Sequence, residues 1–359
     1  MPRPDPSPAL TAEDIDALWA NAAHPEDYAS LRFHRVTQEG EPAGLPPEIV
    51  EQARQAAEVL GGRRRRRRRG KKKSGNNSER SNRRPSSRPS LEWIEDTIHD
   101  LMEALDVPDE AYEFHRNTVV FPVPEDEMAG LPPLPEGYGY KGGVVRKALA
   151  RTLRLPISTA AVRDIDLLKA ADTPPDHDRE LAERYMTDDL IHGDAKVEAV
   201  INHRDYFTTR EVTVNEAWLL HDEIEITHLG LIDTLAGVVR ITQGHLNQNF
   251  GRAHPIVAFK VLRFAASMQA EGREPVIPPF RVNFRRRPHP FAFFLALQLS
   301  RALEGGVEVA EHFLEYARQW NLLAKADLPD DVNAKAAAEV LSERLSDYHL
   351  DFEFDTADE

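Results

Sequence analysis

Positions 91, 94, 98, 101 and 105 are apolar and fall on one face of a helix, and Ser90 stands where an N-cap is expected. Residues 117–123 read as a strand, and the proline-rich stretch 124–135 as a loop. From 137 to about 242 short helical and strand patterns take turns, with strands expected near 161–168, 195–201, 210–220 and 223–227. Beyond 243 no strand pattern persists. Segments 255–270, 290–303, 307–323 and 334–345 carry helical periodicity instead. The expectation is an α+β chain, a mixed sheet with helices followed by an all-helical neck and body. Upstream, 12–22 and 47–60 show short helical patterns, the first after Thr11 and the second ended by Gly61-Gly62. Neither has enough apolar surface for a core of its own. No repeat of solenoid length is present.

Charge divides the chain further. Its 359 residues carry a net −15, but 61–90 hold fourteen Lys or Arg against one Glu. That segment is +13 and everything else sums to −28, so the average conceals two kinds of surface. Residues 63–69 are all Arg and 71–73 all Lys, and like charges with nothing apolar to bury are not expected to fold. The expected organisation is therefore 1–60 as short, partly disordered helices, 61–90 as a disordered basic linker and 91–136 as a helix–strand lead-in. An α/β head over 137–242 follows, then a helical body with an acidic tail over 243–359. The chain has no cysteine, which excludes disulfides and thiolate zinc sites and suits a reducing cytoplasm. No apolar run is long enough for a bilayer, and the proline- and acid-rich start does not read as a signal peptide.

Candidate chemistry concentrates between Gly142 and Leu168. A glycine pair, Gly142-Gly143, lets backbone amides approach phosphate oxygens, and the helix start after it adds free N–H groups and a dipole. The same pair also suits a plain tight turn. In Arg163-Asp164-Ile165-Asp166-Leu167-Leu168, strand alternation points Asp164 and Asp166 one way and Ile165 and Leu167 the other. Carboxylates about 6–7 Å apart can share divalent metals spaced about 4 Å. Arg146 has the fork geometry for a triphosphate, or is a surface helix residue.

These residues resemble the signature of the DNA polymerase beta-like nucleotidyltransferase superfamily, Gly-Gly followed by Asp-hydrophobic-Asp. Thr209-Arg210-Glu211-Val212-Thr213-Val214-Asn215-Glu216-Ala217 is similar to a block of CCA-adding enzymes and bacterial poly(A) polymerases. Leu231-Ile232-Asp233-Thr234-Leu235-Ala236-Gly237-Val238-Val239-Arg240 and the segment 255–266 match two further blocks in the same order. The resemblance implies a nucleotidyltransferase head, two Mg²⁺ held by Asp164, Asp166 and a third carboxylate, an NTP substrate and an RNA acceptor, tRNA first. Glu198 is the expected third carboxylate and Asp194 its rival on the same face. By the same resemblance Gly142, Gly143, Arg146, Arg210, Asn215 and Arg263 bind the nucleotide. For Arg210 and Asn215 the alternative is cross-strand pairing, and Arg263 either meets the nucleotide or locks head to body through a carboxylate.

Departures also carry information. His254 and Val257 stand where the family reads the incoming base, so base choice does not carry over and is expected to be loose. Lys141 before the glycines is a feature of abortive-infection nucleotidyltransferase toxins. Three functions follow: transfer to an RNA 3′ end, a toxin-like transferase acting on tRNA or protein, and a non-enzymatic nucleotide- or RNA-binding head. Arg285-Arg286-Arg287 reads as a solvated loop or a phosphate grip, and Phe291, Phe293 and Phe294 as core or interface residues. His221 and His245 are isolated and form no metal set. Neither the oligomeric state nor the pathway is encoded in any of these patterns.

Overall fold

The computed structural model describes residues 45–61, 89–123, 128, 131–153, 155, 165–185, 197–200, 203–284 and 290–346, with backbone alone at 203–205. The expected 12–22 helix, the basic tract, Asp164, Asp194 and Arg285–287 lie outside them.

Seven strands form one mixed sheet: β1 (Glu113–Phe114), β2 (Thr118–Pro122), β3 (Tyr138–Lys141), β4 (Leu167–Ala170), β5 (Glu198–Val200), β6 (Ala217–Leu220) and β7 (Glu223–Thr227). Their order is β1-β2-β7-β6-β3-β4-β5, antiparallel except for the parallel β4–β5 pair. β6 and β7 are joined by His221-Asp222, both at positive φ (52° and 61°), the two-residue turn whose twist matches a hairpin. Alternation gives the sheet two different faces. One buries Val119, Phe121, Tyr138, Tyr140, Leu167, Leu219, Ile224 and Ile226. It packs against helices α1 (Pro47–Gly61), α2 (Leu91–Ala104), α3 (Gly143–Thr152), α4 (Asp178–Tyr185) and, after α5 (His203–Thr209), α6 (His228–Ala236). The other carries Leu168 and Trp218, capped by Tyr206 and Phe207 of α5, with the Phe207 and Trp218 rings stacked at 4.7 Å.

The strand expected over 223–227 is β7 in full, and the others differ from their sequence patterns. Among the described residues of 161–168 and 195–201, β4 starts at Leu167 and runs on to Ala170, and β5 is Glu198–Val200. The 210–220 stretch is not one strand: Val212 makes an isolated antiparallel bridge to Ile241, Thr213–Asn215 is a 3₁₀ turn and only Ala217–Leu220 joins the sheet. Thr213 is drawn out of the ladder because its hydroxyl donates to the fully buried Asp233 carboxylate at 2.6 Å. That carboxylate is held by Arg240 at 2.9 and 3.0 Å, and Arg240 also donates to the Ala57 carbonyl at 2.9 Å. α1 thus docks on α6, burying Ile49, Ala53, Ala56 and Ala57 in the sheet's core.

From Gln243 onward the named elements are helices: α7 (Gln243–Gln248), α8 (Pro255–Ala270), α9 (Phe291–Leu303), α10 (Val307–Gln319) and α11 (Ala334–Ser346). α8 starts where the sequence predicts, with His254 as N-cap and Pro255 in the first turn, where its missing N–H costs nothing. A second core around Phe259, Leu262, Leu295 and Phe313 joins these helices, and Phe293 and Phe294 belong to it. Among the described residues no helix is long and apolar enough to cross a membrane.

Candidate active site

Residues at the end of β3 and the start of β4 meet on the sheet's second face. β3 ends at Lys141, whose N–H donates to the Asp166 carbonyl at 2.9 Å, extending the ladder one step beyond the named strand. Ile165 and Leu167 are buried in the main core, so Asp166 faces the other way, as alternation requires. Gly142 then turns at φ 69° and caps α3. A Cβ on Gly142 would lie 2.2 Å from Asp166 Oδ2. Both the backbone angle and the space therefore demand glycine, and the carboxylate rests against its bare Cα beside the helix's free N–H groups.

Two cations, Arg146 and Lys260, feel the charge of this carboxylate. Burial weighs against the Arg146 charge, and Asp166 is the first group that supports it. Arg146 also donates to Asn215 Oδ1, and its guanidinium lies 4.4 Å over the Phe264 ring. Arg263 uses the same ring at 4.8 Å, while its Nε donates to Gln298 Oε1 at 2.9 Å. Lys260, one turn before it, bonds Glu211 at 3.2 Å; burial pushes its ammonium down, and Glu211 and Asp166 offset part of that.

Glu198 sits beside Leu168 in the β4–β5 register and so shares the Asp166 face. Its carboxylate receives Lys141 Nζ at 3.1 Å and the Arg210 guanidinium. Burial alone would raise the Glu198 pKa, but the Arg210 hydrogen bond and the two positive charges outweigh it and hold it below the usual range. Arg210 lies 4.2 Å over Tyr206, completing a link to the aromatic cap. Val197 is buried and Ala199 is exposed, on β5 at the sheet edge.

The structure thus gathers Gly142, Asp166, Glu198, Arg210, Arg146 and Asn215, and places Arg263 on the ring that Arg146 covers. Neither Arg210 nor Asn215 makes the cross-strand pairing considered for it; each is bonded to another member of the expected set. Tyr206, Glu211 and Lys260 join the cluster without being among the expected site residues, and Lys141, expected only as a family feature, partners Glu198. Lys260 and Arg263 are three residues apart on α8, a spacing that places both on one helix face and could have revealed the first. The expected base-reading positions have structural places of their own. Val257 is buried in the helical core, and His254 accepts the Ile256 N–H at 3.3 Å as the α8 cap. Among the described residues no three His, Cys, Asp or Glu side chains form a metal-ligating group.

No protein family and no curated protein matches this chain. A solved structure described as that of a tRNA-processing enzyme complex is similar at 17% identity and a TM-score of 0.30, over 59% of this chain and 61% of that one.

Proposed function

We propose that this protein is a Mg²⁺-dependent nucleotidyltransferase that moves a nucleoside monophosphate from an NTP to a hydroxyl at an RNA 3′ end, with tRNA the first acceptor to test. The observation that carries this reading is the Asp166 carboxylate seated on Gly142 at the start of α3, within electrostatic reach of Arg146 and Lys260. A lone carboxylate would not need so many cations; a carboxylate that shares its site with a polyphosphate would. In the transfer, the acceptor oxygen bonds to the α-phosphorus, the bond to pyrophosphate breaks and the hydroxyl proton leaves. Such a displacement requires positioning and charge neutralisation more than covalent help.

Asp166 offers hard oxygen donors of the kind Mg²⁺ takes, and Asp164 is its partner in the resemblance. Bound there, the metal would activate the acceptor hydroxyl and neutralise the leaving pyrophosphate. The chain's own contribution is to hold the triphosphate with Arg146, Arg210, Lys260 and the first N–H groups of α3. Glu198 fits the metal less well, because Lys141 and Arg210 already occupy its oxygens. In this reading it orients those two cations, and an arriving triphosphate competes for them.

The occupied Glu198 also favours a second reading, a head that binds nucleotide or RNA without transfer. A toxin-like transferase, motivated by Lys141-Gly142-Gly143, is the third. Intact-mass measurement of tRNA and of acceptor proteins, after incubation with each NTP and Mg²⁺, separates them. A nucleotide added to tRNA at its 3′ end supports the proposal, and one added to protein or elsewhere on tRNA the toxin-like enzyme. NTP binding with no mass gain supports the binding head.

A further inference from the structure

Two loops are joined at the start of α8, outside the Asp166 cluster. The Ala253 N–H donates to the Arg281 carbonyl and the Asn283 N–H to the Ala253 carbonyl, both at 2.8 Å, a parallel bridge pairing Ala253 with Val282. Ala253 and Val282 are buried, so alternation turns their neighbours Arg252 and Arg281 outward at matching positions. Both arginines are exposed, and among the described residues neither has a carboxylate partner. Like charges held at one register repel, and an anion bridging them removes the penalty.

Exposed rings flank this pair in sequence. Phe250 is 76% exposed at φ 57°, an uncommon conformation for a bulky residue, and Phe284 is 50% exposed. Phe284 is not loose: the Phe291 ring lies 5.3 Å from it and the Lys325 ammonium 5.8 Å from its centroid. Large apolar side chains that expose half or more of their surface beside two exposed guanidinium groups are suited to a ligand that has both flat faces and negative charge. An acidic peptide would use the arginines and leave the rings wet; a duplex would keep its base faces stacked inside.

We propose that Phe250, Arg252, Arg281 and Phe284 form a platform for a single-stranded polynucleotide, the rings stacking on bases and the arginines holding phosphates. The platform adjoins the N-terminus of α8. Lys260 lies five residues along that helix from Pro255, roughly 8 Å of axial rise. The inference rests on the proposed function only in taking the bound strand to be the acceptor.

The test uses the full chain and an oligouridylate of about twelve nucleotides carrying 4-thiouridine, within the usual span of such sites. Photocrosslinked peptides are mapped, and binding is followed by anisotropy as salt rises to a few hundred millimolar, where the basic tract is screened. Expected are crosslinks at Phe250 or Phe284, and at least tenfold weaker binding of the single strand by the Phe250→Leu/Phe284→Leu variant, with a duplex of equal length unaffected. Arg252→Gln with Arg281→Gln should flatten the salt slope of log K by about 1.4, roughly 0.7 for each phosphate no longer neutralised. Crosslinks confined to other segments, with variants binding like wild type, overturn the platform. So does a polyglutamate peptide that displaces the oligonucleotide as well as unlabelled RNA does, since that points to a protein partner. Platform crosslinks without nucleotide transfer would refute the reaction proposed above and keep the platform; transfer without such crosslinks would do the reverse.

Discussion

At Gly142 a single hydrogen atom decides both backbone and site. The left-handed angle costs an L side chain about 1–2 kcal/mol, and the added methyl would overlap Asp166 Oδ2. Gly142→Ala should therefore lower Tm by a few degrees and reduce transfer well beyond what that loss of stability explains. Melting and activity measured on one preparation check this; a variant silent in both means that the carboxylate does not rest there. Glu216 supplies a different test. Burial pushes its carboxyl up to about 7, the Thr227 hydroxyl donating at 2.7 Å holds it back, and the Asp233 charge pushes it further. Because the folded value exceeds the unfolded one of about 4.3, the folded state carries the extra proton between those two values. Stability should accordingly fall as pH rises from about 4.5 to 7, and Glu216→Gln should gain up to about 3 kcal/mol at pH 8 and nothing at pH 4. Denaturant midpoints across pH decide it: a variant that tracks wild type at every pH removes Glu216 as the cause.

Helices and strands differ in how far they could be read. α8 and α10 begin where the periodicity predicts, and α11 begins at the expected Ala334, because thirteen to sixteen residues repeat the apolar stripe several times. Strands of three to five residues hold two alternations at most, so their ends are set by partners, as with Thr213 and Asp233. The site was legible one residue at a time: Gly142, Asp166 and Arg146 follow from local chemistry. That Glu198 is held by Lys141 and Arg210 was not, since the first lies 57 residues away and the sheet order alone brings them together. Asp233 and Arg240 are a structural clamp of the same hidden kind, joining α6 to α1. Arg240→Ala leaves a fully buried carboxylate without its charged partner, only the Thr213 hydroxyl remaining, and should cost about 3–5 kcal/mol. Hydrogen exchange should then show earlier opening of 47–61; unchanged protection would mean that α1 is held by its alanines alone.

Across the whole molecule the charge partition was plain from the sequence, and it makes a prediction of its own. Removing 62–88 spares the last residue of α1 and the Ser90 cap of α2, and takes away the basic tract. The apparent KM for RNA should rise at low salt with kcat little changed, and the difference should shrink as salt is raised. Parallel, identical curves would reduce the tract to a solubilising segment. The acceptor is less legible, because no local pattern names it and the expected base readers lie in a helix cap and a core. The most direct measurement is transfer of α-phosphate label from each NTP to tRNA with Mg²⁺, by wild type and by Asp166→Asn at matched folded concentration. Wild type should label the RNA, and the variant should keep its Tm while losing about a thousandfold or more in rate. Labelling by Asp166→Asn at near wild-type rate, or no labelling of RNA by wild type with any NTP, would contradict the account.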